Sequence, residues 1–97
     1  MKIIYTERAG RDFVRLREFI RQKNPQAARK ASRQLKANIQ ALVDHPKMGL
    51  SIDGLQEFRE LVARDYIVRY RVLSDEIVIL NIWHGKEDRR ALTASAI

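Results

Sequence analysis

The hydrophobic pattern of this chain changes period at His45-Pro46, and that change constrains the fold more than any other feature. Before it, apolar residues recur every three or four positions, as on one face of a helix. After it they alternate or run together, as in strands. Phe13, Leu16 and Ile20 fall at i, i+3 and i+7, with Val14 and Phe19 widening the stripe. Thr6 can cap this helix and Glu7 suits its first turn, so a helix is expected from Glu7 to about Gln22. Asn24-Pro25 is a second start signal. The helix it opens should run to about Asp44, with Ala28, Ala31, Leu35, Ile39 and Leu42 as its stripe and Ala27 and Val43 beside it. The short linker predicts an antiparallel helical hairpin, and the alanines allow close approach.

Strands flank this hairpin. Lys2–Tyr5 is a short β-branched and aromatic run. Beyond His45-Pro46, a loop with turns at Gly49 and Gly54 leads into three further strands, Phe58–Ala63, Tyr66–Leu73 and Ile77–His84. Tyr66, Val68, Tyr70 and Val72 should share one face, with Ile67, Arg69 and Arg71 on the other. Ile77–His84 is apolar on both parities until Asn81, as an interior strand would be. Ala63-Arg64-Asp65 and Ser74-Asp75-Glu76 are tight turns. The expectation is one α+β domain over 1–97, ordered β-α-α-β-β-β, with the hairpin on one face of a small, mostly antiparallel sheet. Phe13, Leu16, Ile20, Leu35, Ile39 and Leu42 should pack against Val78, Leu80 and Ile82.

Composition removes several classes. There is no cysteine, so neither disulfides nor thiolate metal sites can form. Charge appears too early for a signal peptide, and no apolar run approaches the ~20 residues of a membrane helix. A cytoplasmic protein is expected. Net charge is +7. Residues 1–50 carry 12 Lys/Arg against 4 Asp/Glu, and residues 51–97 carry 7 against 8, so the excess lies on the helical half. Such a face can meet nucleic acid or an acidic protein segment; it can also be an ordinary solvated surface.

Several short segments stand in a particular order: Asn24-Pro25 with Ala27-Ala28, His45-Pro46-Lys47-Met48-Gly49, Phe58-Arg59-Glu60-Leu61, Tyr66-Ile67-Val68-Arg69-Tyr70-Arg71-Val72, and Ile79-Leu80-Asn81-Ile82-Trp83-His84-Gly85. In that order and spacing the chain resembles the RelE/ParE superfamily, toxins of type II toxin–antitoxin systems, across nearly its whole length. Leu50 departs from the basic residue that relatives commonly carry there, which speaks against an anion-binding role for the loop. The long hairpin and Trp83-His84 are similar to the ParE branch. The resemblance implies a plasmid-stabilization type of toxin that inhibits DNA gyrase and replication. It would form a hetero-oligomer with a cognate antitoxin and need no cofactor. The alternative it implies is a RelE-type endoribonuclease acting with the ribosome on messenger RNA.

The residues bear on that choice. Cleavage by 2′-hydroxyl attack needs a base, an acid and cations for phosphate. His45 sits at a helix end, where capping or exposure is its ordinary role. His84 is either a sheet-edge site residue, catalytic if the chain is an RNase, or a structural histidine. RNase relatives resemble one another in an arginine two or three residues before the last aromatic of the Tyr66–Leu73 strand. Here those places hold Ile67 and Val68, which favours an inhibitor without hydrolytic chemistry. Tyr66, Tyr70 and Trp83 can stack on bases or serve the core. Arg59 and Glu60 can pair across strands. Nothing has the spacing of a phosphate loop, nucleophile elbow or metal cluster. Candidate target-binding residues are Arg59, Arg69, Arg71, His84, Lys86, Arg89 and Arg90. Candidates for the antitoxin are Arg8, Arg11, Arg15, Arg29, Arg33 and Lys36, which recur at helical spacing.

Overall fold

The computed structural model describes residues 1–85. It contains β1 (Lys2–Tyr5), α1 (Glu7–Arg21), α2 (Pro25–Gln40), a short 3-10 turn (Ala41–Val43), β2 (Leu50–Ile52), β3 (Leu55–Ala63), β4 (Tyr66–Val72) and β5 (Glu76–His84). Both caps form as the residue types dictate. The Thr6 hydroxyl accepts from Ala9 N, and Asn24 Oδ1 accepts from Gln26 N and Ala27 N. Candidate residues Lys86, Arg89 and Arg90 lie outside the described residues.

The strands form one sheet in the order β1-β5-β4-β3-β2. β1 runs parallel to β5, while the other neighbours are antiparallel. The architecture is the expected α+β, with one more strand than the alternation suggests. β2 was legible only through Asp53-Gly54, whose positive φ values of 51° and 76° fit a tight hairpin turn between Ile52 and Leu55. The turns at Arg64-Asp65 and Ser74-Asp75 close the other two hairpins.

The core lies between the hairpin and the sheet. Leu16, Leu35, Ile39 and Leu42 meet Leu61, Val68, Tyr70, Ile77, Ile79 and Ile82, with Phe13 and Ile20 packed at its margin. The expected contribution of Val78 and Leu80 is a register error. Arg69 faces Asn81 while Tyr70 faces Ile79, so Leu80 is an extra residue in the ladder. That bulge changes which parity of β5 points inward: Ile77 and Ile79 are fully buried before it and Ile82 after it. Val14, placed on the helical stripe, is instead exposed.

Two polar networks lock this arrangement. Beyond Ile79, β1 no longer covers β5, and α1 takes over. Thr6 N and Oγ1 donate to Ile79 O, and Oγ1 also lies 2.9 Å from Leu80 O. Buried Asp12 accepts from Ile82 N at 2.9 Å, and Arg15 donates both to Asp12 and to Ile82 O. Arg8 approaches the same carboxylate at 3.3 Å.

The second network holds the His45–Gly49 loop. The Tyr70 hydroxyl donates to Pro46 O at 2.8 Å and accepts from Gly49 N at 2.9 Å. Arg59, buried, donates to Gly49 O at 2.8 Å, to Lys47 O, and to Gln56. A Cβ at Gly49 would stand 2.7 Å from Glu60 O and 2.8 Å from the Tyr70 oxygen, so only glycine fits.

Leu35→Ala should cost about 2–5 kcal/mol, because it empties a buried site between hairpin and sheet; urea denaturation measures this. Tyr70→Phe should cost about 1–3 kcal/mol by leaving Pro46 O and Gly49 N without the hydroxyl. Burial raises the Tyr70 phenol above its ordinary 10.0, although the Gly49 amide and the Arg59 charge pull the other way. A raised pKa means stability is intact below pH 10 and falls as the unfolded chain ionises first. The alkaline loss of stability should therefore be shallower in Tyr70→Phe than in the wild type, as urea titrations between pH 9 and pH 12 would show.

Candidate functional site

The pleat sorts the candidate cations onto different surfaces. Residues alternating with the core strands project from the sheet face opposite the hairpin. Cross-strand register aligns Phe58 with Arg71, Glu60 with Arg69, and Arg69 with Asn81. On this face Arg69 pairs with Glu60 at 2.7 Å and its guanidinium lies 5.4 Å from the centre of the Trp83 ring. Arg71 pairs with Glu57 at 2.9 Å and lies 5.3 Å from the Phe58 ring. Both are charge-assisted pairs, and each arginine also has an aromatic neighbour. Arg71 keeps 42% of its side-chain exposure and Arg69 only 17%. Glu60 makes the anticipated cross-strand pair. Arg59, next to it in sequence, points the other way into the loop network.

Also on this face, buried Arg69 Nε and Asn81 Oδ1 make no hydrogen bond among the described residues. Exposed Val62 and Ile4 lie at its two sides. The face is thus a band of carboxylate-paired arginines and aromatic rings with an apolar margin, suited to a flat protein or nucleic-acid surface.

His84 is not part of that band. It shares the helix-side parity with Tyr66, its ring 5.3 Å from Tyr66 and 5.7 Å from Phe19 of α1. Only 9% of it is exposed. Tyr66, its edge-on neighbour, is raised above its usual phenol value, chiefly by burial and then by Asp65. His45 is exposed in the loop after the 3-10 turn. The sequence thus named histidine and arginines together, while the fold separates them by the thickness of the sheet.

The hairpin cations also divide. Arg8 and Arg15 serve Asp12. Arg11 pairs with Glu7 on the surface, at 3.0 Å. Arg29, Arg33 and Lys36 are exposed on α2. Lys36 reaches over α1, its Nζ 5.6 Å from the centre of the Phe13 ring. Between the helices and the end of β1 opens a groove of about 480 Å³, lined by Tyr5, Gly10, Phe13, Val14, Arg17, Lys36 and Gln40. Charge patterning pointed to this side of the molecule but could not show the groove, because its apolar lining comes from residues assigned to the core or to β1. Among the described residues, no cluster of three His, Asp or Glu side chains is placed to hold a metal, and no helix is long and apolar enough to cross a membrane.

Comparison with known proteins agrees with this architecture. Residues 3–89 match the family model described as ParE toxin of type II toxin-antitoxin system, parDE. The chain is 32% identical over 91 residues to Toxin RelE1 of Caulobacter vibrioides, covering 90% of this chain and 96% of that protein. It is 34% identical over 86 residues to Toxin RelE3 of the same organism, covering 84% of this chain and 91% of that protein. A solved structure titled "Chromosomal ParDE TA system from P. aeruginosa" shares the fold, with a TM-score of 0.71 at 22% identity over 87% of this chain and 95% of that one. The chain belongs to the ParE toxin family of type II toxin–antitoxin systems, within the RelE/ParE superfamily.

Proposed function

We propose that this toxin acts in the cytoplasm by binding DNA gyrase and prolonging its cleaved-DNA state, without hydrolysing a substrate, and that a cognate antitoxin neutralises it. The observation that carries the reading is the separation of His84 from the arginine band. Proton transfer needs a base within hydrogen-bond reach of the reacting group and beside the cations that stabilise it. Here Arg69 and Arg71 occupy the open face, while His84 is wedged between Phe19 and Tyr66 on the other. Binding instead needs a firm surface with exchangeable ion pairs and aromatic rings, and this face carries both. Arg71 is its most accessible arginine, Arg69 lies beside it, and Lys86, Arg89 and Arg90 follow in the chain.

The antitoxin reading rests on family membership and on the exposed cations Arg11, Arg29, Arg33 and Lys36. An acidic, apolar segment that is disordered when free would be steered to this side and then held by apolar contacts.

Purified toxin should block gyrase supercoiling and accumulate gyrase-linked DNA breaks, while ribosome-bound messenger stays intact. Messenger cut by the wild type, with gyrase unaffected, would establish the RelE-type alternative that the relatives' names suggest. His84→Gln should keep most toxicity if its melting temperature stays close to wild type. A separate measurement concerns encounter. Arg11→Glu with Arg33→Glu should slow antitoxin association several-fold at low salt and change dissociation little, as read by surface plasmon resonance. Arg15 is unsuitable for that reversal because it holds Asp12.

A further inference from the structure

Helix α2 carries Arg29, Lys30, Arg33 and Lys36 and no acidic residue anywhere between Pro25 and Gln40. Arg29 and Arg33 stand at i and i+4, and Arg33 is three positions from both Lys30 and Lys36, so like charges repel along one helix surface. Helix α1 answers the same problem with carboxylates: Glu7 takes Arg11, Asp12 takes Arg8 and Arg15, and Glu18 takes Arg21. On α2 no such answer exists. Arg29, Lys30 and Arg33 are all exposed, and none of them makes an ion pair among the described residues. Lys36 is set apart, because it leans over Phe13 toward the groove. At 3.6 residues per turn the other three fan over roughly 100° of the helix surface, away from the buried Ala28, Leu35 and Ile39. They form a ridge that points away from the core, on the opposite side of the molecule from the arginine band.

We propose that this ridge binds the phosphate backbone of duplex DNA without reading its sequence. Cations in a row on a rigid helix, with no carboxylate to compete for them, can neutralise phosphates and release their counterions. Single strands are held by stacking bases on aromatic rings, and α2 has no aromatic residue. Double-stranded RNA is recognised largely through 2′-hydroxyls across a shallow groove, whereas the major groove of DNA admits an α-helix between its phosphates. An acidic protein is the remaining polyanion, but such a partner is steered by the summed field and held by apolar anchors. Among the described residues no large apolar side chain is exposed on α2, so the ridge offers no anchor. This inference goes beyond the gyrase reading and does not need it. The ridge and the band face opposite ways, so a toxin that holds a protein by its sheet can hold DNA by α2.

The test titrates full-length toxin into a short labelled DNA duplex of arbitrary sequence, read by fluorescence anisotropy. Binding should be indifferent to sequence and weaken steeply with salt. Arg29→Gln with Lys30→Gln and Arg33→Gln should lower the log–log salt slope by about 3, near 0.9 for each phosphate released, and weaken binding at low salt roughly tenfold or more. This variant should melt no lower than wild type, because it relieves repulsion on α2, so lost binding reports the ridge and not the fold. Lys2→Gln with Arg11→Gln and Arg21→Gln removes the same charge from exposed positions outside α2 and should bind nearly as wild type. Equal weakening by both triple variants would reduce the effect to net charge and sink the ridge. Clearly tighter binding to single-stranded DNA or to an RNA duplex would overturn the assignment of partner, as would a wild type that binds no duplex at low salt. Gyrase inhibition and antitoxin binding are read in their own assays, so failure here leaves both readings standing.

Discussion

The structure depends on how the edge of β5 is covered. β5 carries the inward Ile77, Ile79 and Ile82, but its β1 neighbour ends at Tyr5, opposite Ile79. An uncovered strand leaves backbone groups that must find partners or remain costly when buried. The chain supplies side chains in place of a strand. Thr6 takes the carbonyls of Ile79 and Leu80, Asp12 takes the amide of Ile82, and Arg15 takes its carbonyl. Thr6 thereby caps α1 and ties it to the sheet at once. Asp12 is fully buried, and such a carboxylate is tolerable only with an amide and cations around it. Arg8 and Arg15, which look like members of a surface stripe, are those cations.

The loop after α2 is anchored by similar economy. His45-Pro46-Lys47-Met48-Gly49, Arg59 and Tyr70 stand in three separate sequence segments, and hydrogen bonds bring them together. Tyr70 spans Pro46 and Gly49, Arg59 takes Lys47 and Gly49, and the absence of a side chain at Gly49 permits the approach. The Tyr70 phenol is protonated through the neutral range, and burial raises it further above its ordinary 10.0, so it can donate to Pro46 O while accepting from Gly49 N. These contacts fix the path of the chain from the hairpin into β2.

How much of this was legible follows from the range of each signal. Capping, turn and periodicity signals act over a few residues, and they located both helices, the turns at Arg64-Asp65 and Ser74-Asp75, and the face that Tyr66, Val68 and Tyr70 share. The Leu80 bulge has no local signature, since Ile77 through Leu80 are apolar on both parities; only pairing with β4 decides which of them turn inward. β2 is three residues long and leans on β3, too short to show alternation. Arginine is ambiguous for the same reason. Arg59, Arg69 and Arg71 share a residue type, yet the pleat sends Arg59 into the loop network and the other two to the open face.

That sorting leaves two separate surfaces on the toxin, a band of paired arginines and a groove. The arginine band lies on the sheet face away from the hairpin, and the groove at Gly10 lies between the helices and β1. Their residues do not overlap, and the sheet stands between them. On the proposed reading, a partner seated in the groove leaves Arg69 and Arg71 uncovered and must bar the target by other means. It could do so by carrying a further segment around the sheet edge, or by placing enough bulk and negative charge nearby to bar a large target. The first route suits a segment that folds on binding, because a flexible chain can follow an edge that a rigid domain cannot. The long reach required, from a groove beside β1 to the strands β3 and β4 across the sheet, favours an extended segment continuous with the part in the groove over a compact globular inhibitor.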